Sequence, residues 1–258
     1  MRVIAIANQK GGCGKTTTAI NLSACLAEKG YKILLIDMDP QSHASIGLGI
    51  EVYKLKKSMY EVLIQPEVGF QDIIRKTEIP GLEIAPATIM LSGAEIDLAN
   101  VIGRENVLKE CVQGLPYQYD YAIIDCPPSL SLLTVNALTA ADELLVPVHT
   151  QYFPLEGVKQ LLKTIDIVKK RLNHKLRVLG ILPTLFDRRT NLSKDVLDGI
   201  RDYFRDKVFN TVINNNIKLA EAPSAGKPII LYDAGATGAR DYRSLTKEVI
   251  VREKEIGS

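Results

Sequence analysis

The feature that most limits what this chain can become is the run Lys10-Gly11-Gly12-Cys13-Gly14-Lys15-Thr16-Thr17. It sits between an apolar, strand-like segment, Val3 to Ala7, and a helix-like segment, Lys15 to Lys29, that Gly30 stops. Gly11, Gly12 and Gly14 let the backbone curl so that successive N–H groups point inward. The helix that begins near Lys15 adds the positive end of its dipole. A strand–loop–helix of this kind suits a phosphate chain, which brings several negative charges and many acceptors. On that reading Gly11, Gly12, Cys13 and Gly14 cradle the phosphates of ATP, with Thr17 completing the nucleotide-binding run. Lys15 reaches the β/γ-phosphates and Thr16 offers its hydroxyl to Mg²⁺. The common spacing G-x-x-x-x-G-K-[ST] is not met: Gln9 stands at the first glycine position, and Lys10 supplies a second lysine.

The rest of the chain alternates in the way such a loop requires. Lys32 to Asp37 and Tyr121 to Asp125 are continuous apolar runs closed by an aspartate, as expected of strands buried on both faces. Leu144 to Val148 and Val178 to Leu182 repeat the pattern. Helical segments are expected near residues 129–140, 155–172, 190–206 and 240–254. Residues 50–80 read as short helices and loops. The expectation is an α/β fold, doubly wound, with a mostly parallel twisted sheet covered by helices on both faces. No repeat, low-complexity tract or linker divides the chain, so residues 1–258 are expected to form a single P-loop NTPase domain.

Three carboxylates fall at strand ends, where ligands of open α/β sheets bind. Asp37 and Asp39 close the second strand in Asp37-Met38-Asp39-Pro40-Gln41, and Asp125 ends the strand before Cys126-Pro127-Pro128-Ser129. An acceptor at these places can hold metal-bound water or orient an attacking one. Asp125 can reach Mg²⁺ through a coordinated water.

Composition narrows the setting. With 46% hydrophobic and 24% charged residues the chain can bury a sizeable core beneath an ordinary polar surface. No apolar run approaches the ~20 residues of a membrane span, and the first residues lack the order of a signal peptide. Cys13, Cys25, Cys111 and Cys126 form no C-x-x-C pair. The expectation is reduced thiols in a cytoplasmic protein. The net charge of +2 hides an asymmetry. Residues 1–158 hold 12 Lys+Arg against 18 Asp+Glu, whereas residues 159–258 hold 20 against 12. A basic C-terminal portion on an otherwise acidic chain points to a polyanion partner or to a solvated surface.

The form K-G-G-x-G-K-[ST] resembles the deviant Walker A family, which includes the ParA/Soj chromosome-partitioning ATPases, MinD and nitrogenase iron protein. Asn8-Gln9-Lys10, Asp39-Pro40-Gln41, Asp125 to Ser129, Asn136 to Asp142 and Glu221-Ala222-Pro223-Ser224 resemble the ParA/Soj branch, nearly end to end. The chain starts at the first strand, like the short chromosomal type. The resemblance implies hydrolysis of ATP to ADP and phosphate. Lys10 would reach across a nucleotide-sandwich homodimer to the partner subunit's phosphates. Asp39 would position or activate the hydrolytic water, with Lys15 also catalytic and Asp37 supporting the magnesium shell. Thr184 and Pro223 fall in segments that lie against the base. Arg189 and Lys218 fall on positions that contact DNA without sequence preference, and a ParB/Spo0J-type centromere-binding protein would stimulate hydrolysis. Localisation would be cytoplasmic and nucleoid-associated. One departure is Asn215, in Ile213-Asn214-Asn215-Asn216, where many relatives carry a basic residue. Alternatives within the family are an ATPase that positions another cargo and a MinD-like membrane-cycling ATPase. The segment Val249 to Ser258 has too little apolar face for a membrane anchor.

Overall fold

The computed structural model describes residues 1–115, 118–150 and 155–256. Among these, seven strands form one sheet in the order β3-β4-β2-β5-β1-β6-β7. They are β1 (Arg2–Ile6), β2 (Ile33–Asp37), β3 (Arg75–Lys76), β4 (Leu82–Ala85), β5 (Tyr121–Asp125), β6 (Glu143–His149) and β7 (Arg177–Thr184). All neighbouring strands run parallel except the edge pair β3–β4.

Strand periodicity divides the core in two. Val3, Ala5, Leu34, Ile36, Ala122 and Ile124 enter one hydrophobic layer. Their alternates Ile4, Ile6, Ile33, Leu35 and Ile123 enter the other. Every residue of β2 and β5 is buried, which is why these runs are apolar without alternation. The principal helices are α1 (Lys15–Glu28), α2 (His43–Gly47), α3 (Met59–Ile64), α4 (Val107–Gln113) and α5 (Leu132–Ala140). They continue with α6 (Leu155–Arg171), α7 (Asn191–Phe204), α8 (Ile217–Glu221) and α9 (Thr237–Ile256). Residues of α3, α4, α5 and α6 cover the first layer, and α1 and α9 cover the second. The doubly wound arrangement expected from the sequence is therefore the one found.

Helix α1 is clamped between the sheet and α9. Eleven of its residues, from Lys15 to Ala27, are buried. The hydroxyls of Thr18 on α1 and Tyr242 on α9 lie 3.2 Å apart in the interior. Gly30, at φ 91°, ends the helical run in a conformation that favours glycine.

Residues 50–80, expected to be short helices and loops, contain the 3₁₀ turn Val52–Lys54, α3 and the turn Phe70–Ile73. Glu61 accepts from the Ser58 amide at 2.7 Å, and Ser58 Oγ accepts from the Tyr60 amide at 3.3 Å, so the start of α3 is capped reciprocally. The strands β3 and β4 go beyond the expectation. β4 has four residues between Pro80-Gly81 and Pro86, too few for a periodic signal, and it exists because β2 offers it a parallel partner from Ile33 to Ile36.

Candidate functional site

The sheet order brings together the three places the sequence singles out. β5 lies between β1 and β2, with Asp125 in register with Ile6 on one side and Asp37 on the other. The loop leaving β1 and the carboxylates ending β2 and β5 thus share one end of the sheet.

The loop is shaped by two glycines. Gly12 has φ 69°, and Gly14 has φ 84° and caps α1. Both conformations disfavour any side chain. Gly11 is not in the left-handed region, and a Cβ there would meet nothing within 4 Å, so its small size is not demanded by the loop itself. Asn8 anchors the entry: its amide donates to Pro147 O at 2.7 Å and its Oδ1 accepts from the Lys10 amide at 3.2 Å. Lys10 is exposed. Its carbonyl accepts from the Lys15 ammonium at 3.1 Å and from the Cys13 thiol at 3.2 Å. Lys15 is only 6% exposed. Burial pushes the Cys13 thiol up from its ordinary range, against the pull of Lys15, so it is inert. Thr16 and Thr17 are half-buried at the first turn of α1.

Thr184 lies under the loop, not beside it. It is 2% exposed, and its hydroxyl donates to Cys13 O at 2.8 Å. Pro223 lies in the turn Ala222–Ala225, which packs on the end of α2, where a Cβ on Gly47 would come within 3.7 Å of Pro223. Beside it Gly49 and Gly226, both at positive φ, meet backbone to backbone: a Cβ on Gly226 would stand 2.9 Å from Gly49 Cα. Asn21 ties this region to α1, donating to Thr17 O at 2.8 Å and accepting from the Ile229 amide at 2.7 Å.

The aspartates differ in their surroundings. Asp37 is fully buried, with both oxygens engaged. Oδ2 accepts from the Ser45 amide at 2.9 Å and the Ser45 hydroxyl at 2.6 Å, and Oδ1 accepts from the Asp39 amide at 3.1 Å. Burial pushes its carboxyl up to about 6, although the Ser45 hydrogen bonds oppose this. In this state Asp37 is the anchor of the loop that carries Asp39. Asp39, 7% exposed, accepts from the Gln41 amide at 2.9 Å. Ser42, next along, is held at φ 57°, an uncommon strained conformation for serine.

Asp125 is wholly buried, and neither oxygen has a hydrogen-bond partner among the described residues. Burial first, then the charge of Asp37, raises its carboxyl well above the usual range, while Thr16 and Lys15 act in the opposite direction. An isolated buried carboxylate costs several kcal/mol, and a cation beside Thr16 would relieve that cost. Among the described residues no group of three or more His, Cys, Asp or Glu gathers at metal-ligand spacing. The oxygen donors present, Asp125 and the Thr16 hydroxyl, suit Mg²⁺, which takes one or two protein ligands and completes its shell with phosphate oxygens and water. Cys126 is buried, its thiol 3.9 Å from Ile124 O.

Of the two basic candidates Arg189 is exposed and Lys218 half-buried. Arg189 forks onto Asp187 at 2.9 and 2.8 Å, and Lys218 bonds Glu221 at 2.9 Å. Arg188 reaches Asn214 Oδ1 at 2.9 Å, and the Asn215 amide donates to Phe186 O at 2.9 Å, so the two segments adjoin. Asn21 and Ser45 carry no signal in the sequence, because their roles arise only from contacts made in the fold. No described helix is long and apolar enough to cross a membrane. In the segment Val249 to Ser258, Val249 is buried in the core, and the last two residues lie outside the described ones.

A protein-family profile described as an AAA domain matches residues 1–178. The sporulation initiation inhibitor protein Soj of Bacillus subtilis (strain 168) is 52% identical over 248 residues, covering 96% of this chain and 98% of that protein. The chromosome partitioning protein ParA of Myxococcus xanthus (strain DK1622) is 48% identical over 252 residues, covering 98% and 89%. Among solved structures, cobyrinic acid a,c-diamide synthase from Mycobacterium smegmatis with bound ADP and magnesium matches with a TM-score of 0.87 at 38% identity, over 100% of this chain and 97% of that one.

Proposed function

The chain belongs to the ParA/Soj family of P-loop ATPases, and on that premise we propose that it is a DNA-segregation ATPase that partitions a chromosome or plasmid. It hydrolyses ATP with Mg²⁺. The observation that carries the reading is the orphaned carboxylate of Asp125 beside a loop that holds Gly12 and Gly14 in left-handed conformations. Together they make complementary halves of a site for a phosphate-bound cation.

In this reading the amides from Gly11 to Thr17 hold the phosphates, and Lys15 leaves the Lys10 carbonyl to meet them. Thr16 and Asp125 would hold the magnesium, which would withdraw charge from the phosphate oxygens. Asp39 orients the attacking water, and Asp37, through Ser45 and the Asp39 amide, fixes where Asp39 stands. Lys10, exposed at the loop, reaches the partner subunit's nucleotide in an ATP-bound homodimer. Pro223 borders the base, with Thr184 supporting the loop from below. Arg189 and Lys218 contact DNA phosphates, and a ParB/Spo0J-type protein stimulates turnover, giving a cytoplasmic, nucleoid-associated cycle.

The test is Asp39→Ala with ATP and Mg²⁺, followed by size-exclusion chromatography and DNA retardation. The variant should bind ATP, hydrolyse it poorly, accumulate as a dimer and retard DNA. Absence of saturable ATP binding by the wild type would overturn the whole reading. Failure of the ATP-loaded dimer to retard DNA would overturn only the DNA part. In that case the ion pairs of Arg189 and Lys218, with Asn215 in place of a base, favour a family ATPase that positions another cargo.

A further inference from the structure

The end of the sheet opposite the nucleotide loop carries a second concave site. At the amino ends of β1, β5, β6 and β7 lies a hollow of about 780 Å³, whose lining includes Arg2, Lys169, His174, Lys175 and Arg177. Beside it a hollow of about 760 Å³ has an apolar floor that includes Val3, Val112, Leu115, Ala140 and Leu172. The two share Met1, Asp142, His174 and Lys175, so they form one groove.

Of its acids only Glu143 is buried; Asp120 and Asp142 are exposed, each with a backbone amide as partner. Asp120 accepts from the Lys32 amide at 2.7 Å and Asp142 from the Val3 amide at 2.8 Å. Glu143, wholly buried, is shared by Arg2 at 2.5 Å and Arg177 at 3.4 Å. The side chains of Lys169, His174 and Lys175 make no hydrogen bond or ion pair with another described residue. From Ile167 to Phe186 the chain holds five Lys and Arg and no Asp or Glu. The exposed charge is predominantly cationic, Lys169, Lys175 and Arg177 against Asp120 and Asp142, above a floor that includes apolar residues.

We propose that this groove docks an acidic peptide segment of a partner protein, one in which Asp or Glu alternates with apolar residues. Each hollow alone is near the upper size of a small-molecule site, roughly 300–1,000 Å³, so the continuous groove suits a stretch of chain. The basic rim supplies charge complementarity, and the apolar floor receives side chains that neither a sugar-phosphate backbone nor a lipid headgroup possesses. The site stands apart from the nucleotide loop, so it is independent of the ATPase reading.

The experiment is fluorescence anisotropy of the full chain with a short fluorescein-labelled peptide alternating Glu and Leu. A matched Lys–Leu peptide, a random DNA duplex and phosphatidylglycerol vesicles serve as comparison arms. Two variants probe the two chemistries: the charge reversal Lys169→Glu/Lys175→Glu, and Ala140→Trp, which fills the floor without changing charge. The Glu–Leu peptide should bind saturably and the Lys–Leu peptide should not. Both variants should weaken that binding at least about tenfold while the melting temperature and ATP affinity stay unchanged. No saturable binding by the wild type, or undiminished binding by either variant, overturns the proposal. Tighter binding of DNA or vesicles that is lost in the charge-reversed variant also overturns it, and would reassign the groove to that polyanion.

Discussion

The Lys15 ammonium donates to the carbonyl oxygen of Lys10, 3.1 Å away, so the glycine loop is closed on itself by the charge that the proposed nucleotide would recruit. Ligand binding therefore exchanges an internal hydrogen bond for external ones, with the loop already near its working shape.

Lys15→Ala separates these two roles. Removing a nearly buried ammonium should leave the ligand-free melting temperature unchanged or raised. ATP–Mg²⁺ affinity should fall about 10- to 100-fold, the scale of one or two charge-assisted hydrogen bonds. Titration calorimetry and a thermal melt of the same preparation check both.

Asp37 gives a pH signature. Its carboxyl is raised from 3.8 to about 6 on folding, so between those values the native state holds a proton that the unfolded chain has released. The contribution of this group is fully present below the unfolded value and is lost as pH rises through the folded one. Asp37→Asn cannot ionise. The variant's melting temperature, measured relative to wild type, should therefore climb from about pH 4 to about pH 6 and then level off. Mg²⁺ with nucleotide should shrink the difference by favouring ionised carboxylates.

Ser45 links Asp37 to the rest of the site, because its hydroxyl donates to Asp37 at 2.6 Å and accepts from the Ala87 amide at 3.1 Å. Ser45→Ala should cost about 1–3 kcal/mol of stability by urea unfolding, since two buried polar groups lose their partner. It should also lower kcat more than it raises KM, because Asp39 loses its anchor. Ser45→Thr should recover most of both.

Arg189 is 86% exposed in its pair with Asp187, and that pair should contribute little to stability. Arg189→Ala is expected to change unfolding free energy by less than about 0.5 kcal/mol. It should lower DNA affinity at every sequence and make the dependence on log salt shallower by about one unit. Asp187→Asn should do the reverse, tightening DNA binding a few-fold by releasing the guanidinium. Retardation assays across a salt series distinguish the two.

What can be read from the chain is what contiguous residues determine. The phosphate loop is legible because Gly12 and Gly14 need conformations that few other residues accept. The aspartates are legible because each closes an apolar run. Asn21 is not, since its partner Ile229 lies 208 residues away. Thr184 is expected from the sequence to lie against the base, but its place as a prop under the loop is not legible, because only packing decides which way a strand-end hydroxyl points. The pairings of Arg189 with Asp187 and Lys218 with Glu221 are within reach of the sequence, being two and three residues apart. β4 is invisible because four residues become a strand only when a neighbour offers an edge.

The family profile ends at residue 178, yet α1 and the loop before it are held by residues beyond that point. Thr18 meets Tyr242, Asn21 holds the Ile229 amide, and Cys13 is steadied by Thr184. An excised fragment carrying every recognisable phosphate-binding residue would thus have a bare flank where α9 belongs, and it should aggregate rather than bind ATP. The smallest unit that binds nucleotide on its own should therefore extend into α9, and a truncation within α9 should cost ATP binding as well as stability.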